Sequence, residues 1–219
     1  MRYERKYEIE RNYNLCFTNA ILTNGFNEIY ASRIVNSLYY DDAEFSLFSD
    51  SEDGINERKK IRLRFYNSNF EDANIEQKIK DGELNKKISR NIKENNSESD
   101  KKLNFYDSDN KLNFIYVPKS INQYFLPKTF IIYKRRYFLS ENQELRITID
   151  ENILFQKVIG FDDEFFTSTK RLHTNSIIEF KYNVNHKPLN YLNQNIFNIF
   201  NLILTKSSKY CKSIYTLYY

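Results

Sequence analysis

Apolar residues recur at every second position through several stretches of this chain, with charged residues between them. The plainest case is Arg58-Lys59-Lys60-Ile61-Arg62-Leu63-Arg64-Phe65-Tyr66, where Ile61, Leu63 and Phe65 alternate with Arg58, Lys60, Arg62 and Arg64. Period two without Gly or Pro predicts a β-strand, and successive side chains of a strand leave by opposite faces. All four cations therefore share one face. Such neighbours repel by about 1 kcal/mol per close pair in water, and by more where water is thin. The arrangement suits a strand whose charged face meets something anionic, and phosphate chains are the obvious candidates.

The same alternation predicts further strands at Arg2–Ile9, Arg33–Tyr40 (ended by Asp41-Asp42), Asn74–Lys80, Phe130–Phe138, Gln143–Ile149 and Ser176–Tyr182. Asp81-Gly82 predicts a hairpin returning through Lys86–Arg90. Asn14–Leu22 reads as a short helix stopped by Asn24-Gly25, and the acidic stretch Ser49–Gly54 as a turn. A short helix is expected between Pro118 and Phe125. A longer one opens at Pro188, with Leu189, Leu192, Ile196, Ile199, Phe200 and Ile203 on one side. From about 91 to 113 the composition falls to Asn, Ser, Asp, Glu and Lys, which predicts a long loop or polar insertion. The chain closes on Ser207-Ser208-Lys209-Tyr210 and an aromatic tail.

Length and composition narrow this picture. The 219 residues suit a single domain spanning 1–219, and 16% aromatic residues supply a bulky core. The net charge of +4 is too small to imply nucleic acid or membrane binding by itself. Its distribution says more. The charged faces of the strands from Arg58 onward carry nine cations (Arg58, Lys60, Arg62, Arg64, Lys78, Lys80, Arg135, Arg146, Lys181) against three anions (Glu76, Asp150, Glu179). From spacing alone two architectures remain open: an antiparallel sheet with its charged side in water, or a closed barrel whose charged faces line a polar lumen.

Cys16 and Cys211 cannot build a disulfide framework, no signal peptide is visible, and no apolar run approaches a bilayer span. A soluble, cytoplasmic protein is the expectation. His173 and His186 lie in polar stretches and read as surface residues. Gly25, Gly54, Gly82 and Gly160 form no phosphate-cradling loop.

An ordered set of segments now carries a resemblance. Glu4-Arg5-Lys6-Tyr7, Arg33 to Asp41, Arg58-x-Lys60-x-Arg62-x-Arg64-Phe65-Tyr66, Glu76-Gln77-Lys78, Tyr133-Lys134-Arg135-Arg136-Tyr137, Arg146-Ile147-Thr148-Ile149-Asp150, Glu179-Phe180-Lys181-Tyr182 and Ser208-Lys209-Tyr210 run in sequence. Together they resemble the VTC domain, the polyphosphate polymerase domain of the triphosphate tunnel metalloenzymes, in its bacterial stand-alone form. The resemblance covers Arg2 to about Lys212 apart from the polar segment. The family's usual tryptophan after Arg-x-Arg is Phe65 here. Arg2, Glu4 and Lys6 depart from the Glu-x-Glu-x-Lys start of the cyclase and thiamine triphosphatase branch.

The resemblance implies an α+β fold, an antiparallel eight-stranded β-barrel (the triphosphate tunnel) with flanking helices. It implies Mg²⁺ or Mn²⁺ as cofactor and ATP, another nucleoside triphosphate, polyphosphate or tripolyphosphate as ligand. The activity implied is transfer of the ATP γ-phosphate to a polyphosphate chain. By position, Lys6, Arg62, Arg64, Lys78, Arg135, Arg146 and Lys209 take the catalytic, phosphate-contacting places. Lys87 and Lys206, with Arg58, Lys60 and Lys181 of the charged faces, are expected to bind substrate, and Glu179 to ligate the metal. Alanine at Arg62 or Arg135 is expected to spare the fold and weaken triphosphate binding.

Two other functions use the same charges: a triphosphatase sending water at the terminal phosphorus, and a polyanion-binding module without turnover. No nucleic-acid partner is expected, because the cations alternate with Ile and Leu rather than with stacking aromatics. No membrane segment is read in this chain, which leaves room for a membrane partner.

Overall fold

The computed structural model describes the chain except residues 1, 83, 93–99, 108, 110, 119–120, 122–123, 162–163, 184–195, 201 and 207. Twelve strands carry it: β1 (Arg2–Glu10), β2 (Phe26–Asp41), β3 (Glu57–Tyr66), β4 (Asn69–Asp81), β5 (Leu84–Asn91), β6 (Asp100–Tyr106), β7 (Leu112–Pro118), β8 (Leu126–Ser140), β9 (Leu145–Phe161), β10 (Glu164–Leu172), β11 (Asn175–Asn183) and β12 (Ile203–Thr205). The longer helices among the described residues are α1 (Asn14–Thr23), α2 (Ser46–Glu52) and α3 (Lys209–Tyr218), beside a 3₁₀ turn at Arg11–Tyr13 and a one-turn helix at Asn198–Phe200. Their hydrogen-bonded path runs β12-β1-β11-β9-β8-β2-β3-β4-β5, with β10, β6 and β7 off it. The path has two ends, so the described strands form a large open sheet and not the closed eight-stranded barrel expected. The registered pairs are antiparallel except β6 with β10.

The chain divides into two compact units: Met1–Arg33, Tyr133–Ile153 and His173–Ser207 in the first, Ile34–Ile132, Leu154–Leu172 and Ser208–Tyr219 in the second. The first buries Tyr7 and Ile9 of β1, Leu145, Ile147 and Ile149 of β9, and Ile178, Phe180 and Tyr182 of β11 in one cluster. Phe17 and Ile21 bring α1 onto that cluster. After α1, Gly25 takes φ +78, which a Cβ would strain, so the expected helix stop is confirmed.

The second unit has its own core, in which Leu38, Ile61, Leu63, Phe65, Phe130 and Ile132 meet Leu103, Phe105, Ile115 and Val117. The last four come from the region read as a loop or insertion at 91–113 and from the strand after it. Leu103 and Phe105 are sparse, yet they alternate and face Ile115 and Asn113 across the β6/β7 ladder, so one greasy face suffices for a strand. Residues 93–99, 108 and 110 of that region lie outside the described residues.

Other boundaries also moved. Part of the acidic turn at Ser49–Gly54 belongs to α2. Strand β10 was not foreseen, and the aromatic tail is α3. Most of the helices expected at Pro118–Phe125 and after Pro188 falls outside the described residues. Ile121 and Phe125 form an antiparallel bridge; of the second helix the turn Asn198–Phe200 is helical as expected, while Ile203 opens β12 instead of continuing it.

Candidate functional site

The acids of the charged faces are buried, while most of the cations around them are half-buried and Lys78 and Lys87 are exposed. Arg64 and Glu76 are each 7% exposed, Glu179 is 7% exposed and Asp150 is fully buried. The apolar faces of the same strands fill the two cores, and the opposite faces carry these buried acids among partly exposed cations.

In the second unit, β2, β3, β4 and β5 set the charged face by register. Tyr39 lies opposite Arg62, Ser37 opposite Arg64, and Arg62 opposite Glu76. Lys60 faces Lys78, which in turn faces Lys87. Glu76 is the hub. It accepts from Nε and Nη2 of Arg62 at 2.8 and 2.6 Å and from Nζ of Lys87 at 2.6 Å, with Nη1 of Arg64 at 4.0 Å. Nε of Arg64 donates to Oγ of Ser37 at 3.3 Å. Burial pushes the Glu76 carboxyl up, but Arg62, Arg64 and Lys87 outweigh it and hold it at about 2.

Stability should therefore depend on acid in a defined window. A carboxyl depressed from 4.5 to about 2 contributes on the order of 3 kcal/mol, fully present above pH 4.5 and lost as pH falls through 2. Urea unfolding at stepped pH is expected to show that loss in wild type and a flatter profile in Glu76→Gln. Parallel profiles would remove Glu76 from this role.

Tyr39 shares the face. It is 6% exposed, its hydroxyl accepts from Nη1 of Arg62 at 3.0 Å, and its ring stacks on Tyr210 of α3 at 5.1 Å. Burial alone would raise the phenol, yet Arg62, Arg64 and Lys209 bring it down to about 8. Ser208 caps α3, and its hydroxyl accepts from Nζ of Lys60 at 2.8 Å. Arg58 is half-buried and donates to the Ile55 carbonyl at 2.6 Å, while Lys78 and Lys87 are exposed.

In the first unit, the rows cross β1, β11 and β9. Lys6 faces Glu179, which faces Thr148; Glu4 faces Lys181, which faces Arg146. Arg135 of β8 grips Asp150 in two bonds, Nε to Oδ1 at 2.5 Å and Nη2 to Oδ2 at 2.7 Å. Lys181 makes an ion pair with Glu179 and lies 3.6 Å from Glu4, which is 3.4 Å from Lys6. Burial pushes the Glu179 carboxyl up, but Lys6 and Lys181, helped by Arg135, hold it below the usual range. Lys206 follows β12 and is exposed, with no role on this face shown by a described contact. His173 is half-buried, its Nε2 3.7 Å from Glu8, and His186 lies outside the described residues.

Each of the three anions counted on these faces is thus bracketed by cations. Sequence reasoning counted Glu76 and Asp150 but gave them no role, and it gave none to Tyr39, Thr148 or Ser208. Their parity with the cations was visible: Tyr39 sits two residues before Asp41, and Thr148 lies between Arg146 and Asp150.

Among the described residues no group of three or more His, Cys, Asp and Glu side chains gathers as a ready metal cage. A single carboxylate such as Glu179 could hold a hard divalent ion that arrives with phosphate, since such ions take one or two carboxylates and complete their shell with phosphate oxygens and water. No helix among the described residues is long and apolar enough to cross a membrane.

Strands of one large, mostly antiparallel sheet that carry more cations than acids on their ionic faces define the class of the fold. The comparisons give its family. The VTC domain model matches residues 1–218, and the chain belongs to that family. The match runs through both compact units. No curated protein sequence matches the chain. Among solved structures it is similar to a Vibrio parahaemolyticus protein provisionally described as an adenylate cyclase, at 14% identity and TM-score 0.50, over 97% of this chain and 98% of that one. That likeness bears on the fold alone. A chain of the Schizosaccharomyces pombe Mediator head module is similar at 8% identity and TM-score 0.41, over 94% of this chain and 100% of that one, too slight to argue from.

Proposed function

We propose that this chain is a metal-dependent phosphotransferase of the polyphosphate polymerase type, moving the γ-phosphate of ATP onto a polyphosphate chain. The observation that carries the reading is the excess of cations over acids on the ionic faces of the strands. Neighbouring cations repel one another, and a phosphate chain brings negative charge along the row. Phosphoryl transfer asks for positioning and charge neutralisation more than covalent help, which is what arginines and lysines provide. In the second unit the proposed phosphate contacts are Arg58, Lys60, Arg62, Arg64, Lys78, Lys87 and Lys209; in the first unit, taken by itself, they are Lys6, Arg135, Arg146, Lys181 and Lys206. Glu179 would hold Mg²⁺ or Mn²⁺, which when bound neutralises charge on phosphate oxygens.

The test is to incubate the purified protein with ATP and Mn²⁺ and separate long chains from free phosphate. Long chains are the expected product. Free phosphate alone would mean a triphosphatase, and binding with no product a non-catalytic module. Glu179→Gln is expected to lose turnover and keep tripolyphosphate binding. Arg62→Ala is expected to lose binding but remain folded, because Glu76 still has Lys87 and Arg64 beside it. Wild-type turnover in Glu179→Gln would strip that residue of its metal role.

A further inference from the structure

On β9 the side chains of Arg146, Thr148 and Asp150 share the ionic face, while Ile147 and Ile149 fill the core behind them. Asp150 is consumed by Arg135. The other two are not consumed in the same way. The hydroxyl oxygen of Thr148 and Nε of Arg146 are both buried, and neither has a hydrogen-bond partner among the described residues. Thr148 is only 4% exposed and stands directly opposite Glu179. Glu179 is itself hemmed by Lys6, Lys181 and Arg135.

Buried polar atoms are paired in the great majority of cases, and an unpaired one calls for a reason. A fold that only needed to fill this position would do so better with valine, which has the same shape and no polar atom to strand. Two orphaned donors one pleat apart, about 7 Å along the strand, lie beside a carboxylate and several ammonium and guanidinium groups. A phosphate group answers both donors at once, since its several oxygens accept hydrogen bonds and tolerate the cations around them.

We propose that Thr148 is a further phosphate-binding residue, its hydroxyl donating to one non-bridging oxygen of a phosphate group that Nε of Arg146 also contacts, beside Glu179. The inference rests on the phosphate-chain reading above and deepens it: the row Lys6–Glu179–Thr148 holds one particular phosphate through a neutral donor. A hydroxyl adds direction to a site otherwise built from point charges, because it fixes one oxygen and not merely the charge of the group.

The experiment compares wild type, Thr148→Val and Thr148→Ser. Inorganic tripolyphosphate binding is measured by calorimetry, with and without Mg²⁺, and the thermal midpoint of each free protein is recorded. Thr148→Val is expected to bind about tenfold or more weakly, in line with loss of a hydrogen bond to a charged group. Its free-protein midpoint is expected to be unchanged or higher, because the stranded hydroxyl is gone. Thr148→Ser is expected to bind close to wild type. Wild-type affinity in Thr148→Val, with wild type itself binding, would overturn the role of Thr148 and leave the phosphate reading standing. A weaker affinity that merely tracks a fallen midpoint would also overturn it, assigning the hydroxyl to the fold. No binding by wild type would overturn both.

Discussion

Replacing Arg135 with alanine is expected to destabilise the free protein by about 3–5 kcal/mol, well before any ligand is considered. Asp150 is fully buried, and its two carboxylate oxygens take Nε and Nη2 of Arg135 in a fork at 2.5 and 2.7 Å. Burial disfavours the guanidinium charge, but Asp150 more than compensates and raises the Arg135 pKa. Removing the arginine takes two charge-assisted hydrogen bonds from a fully buried carboxylate. The expectation from sequence, that alanine here would spare the fold, gives way to this geometry. The contrast with Arg62 is instructive, because Glu76 keeps two other cations when Arg62 is lost. Urea unfolding checks the claim through a double-mutant cycle. Arg135→Ala should lower the midpoint sharply, and adding Asp150→Asn should return most of the loss by removing the buried charge. If the single variant is as stable as wild type, the pair carries no such weight. Any ligand measurement on Arg135→Ala must therefore be made where the variant is folded.

What the sequence disclosed was direction; what it hid was pairing. Alternation at Arg58–Tyr66 named the strand, its greasy face and its ionic face, and β3 has all three. The cations proposed for phosphate contact do fall on ionic faces within their units, Lys206 excepted. Yet that Arg62 closes on Glu76, and Arg135 on Asp150, depends on which strands are neighbours and in what register, and period two carries neither. The polar segment was misread because two apolar residues, Leu103 and Phe105, are a weak signal among lysines and asparagines, although one buried face needs little more. Helix α3 was misread for another reason. Tyr210, Cys211 and Ile214 are buried at helical spacing behind a serine cap, a pattern that was present but masked by an aromatic-rich ending. The strand count followed from these misses.

Asp41→Ala is expected to cost about 4 kcal/mol and to loosen two helices together. The carboxylate is fully buried, and it accepts from the backbone N–H groups of Asp42 at 2.8 Å and of Leu47 and Phe48 at 3.0 Å, and from the Tyr210 hydroxyl. It thus caps α2 from the end of β2, where negative charge suits the helix dipole, and pins α3 through the tyrosine. Burial pushes the Tyr210 phenol up and Asp41 pushes it further, so this tyrosine stays protonated and donates. Alanine leaves two helix N–H groups and a phenol without their acceptor, each a penalty of about 1–3 kcal/mol that partial relaxation reduces. Tyr210→Phe should cost less, about 1–2 kcal/mol, because Asp41 keeps its backbone donors. The consequence reaches the ionic face. Tyr210 stacks on Tyr39, which accepts from Arg62, and the residue before α3, Ser208, accepts from Lys60. Amide hydrogen exchange separates local from global effects: the α3 amides of Asp41→Ala should exchange faster than those of β3 under conditions where the protein stays folded. Equal protection of α3 in variant and wild type would mean that Ile214 and Cys211 hold the helix by packing alone, and that Lys209 keeps its place beside Tyr39 without the buried carboxylate.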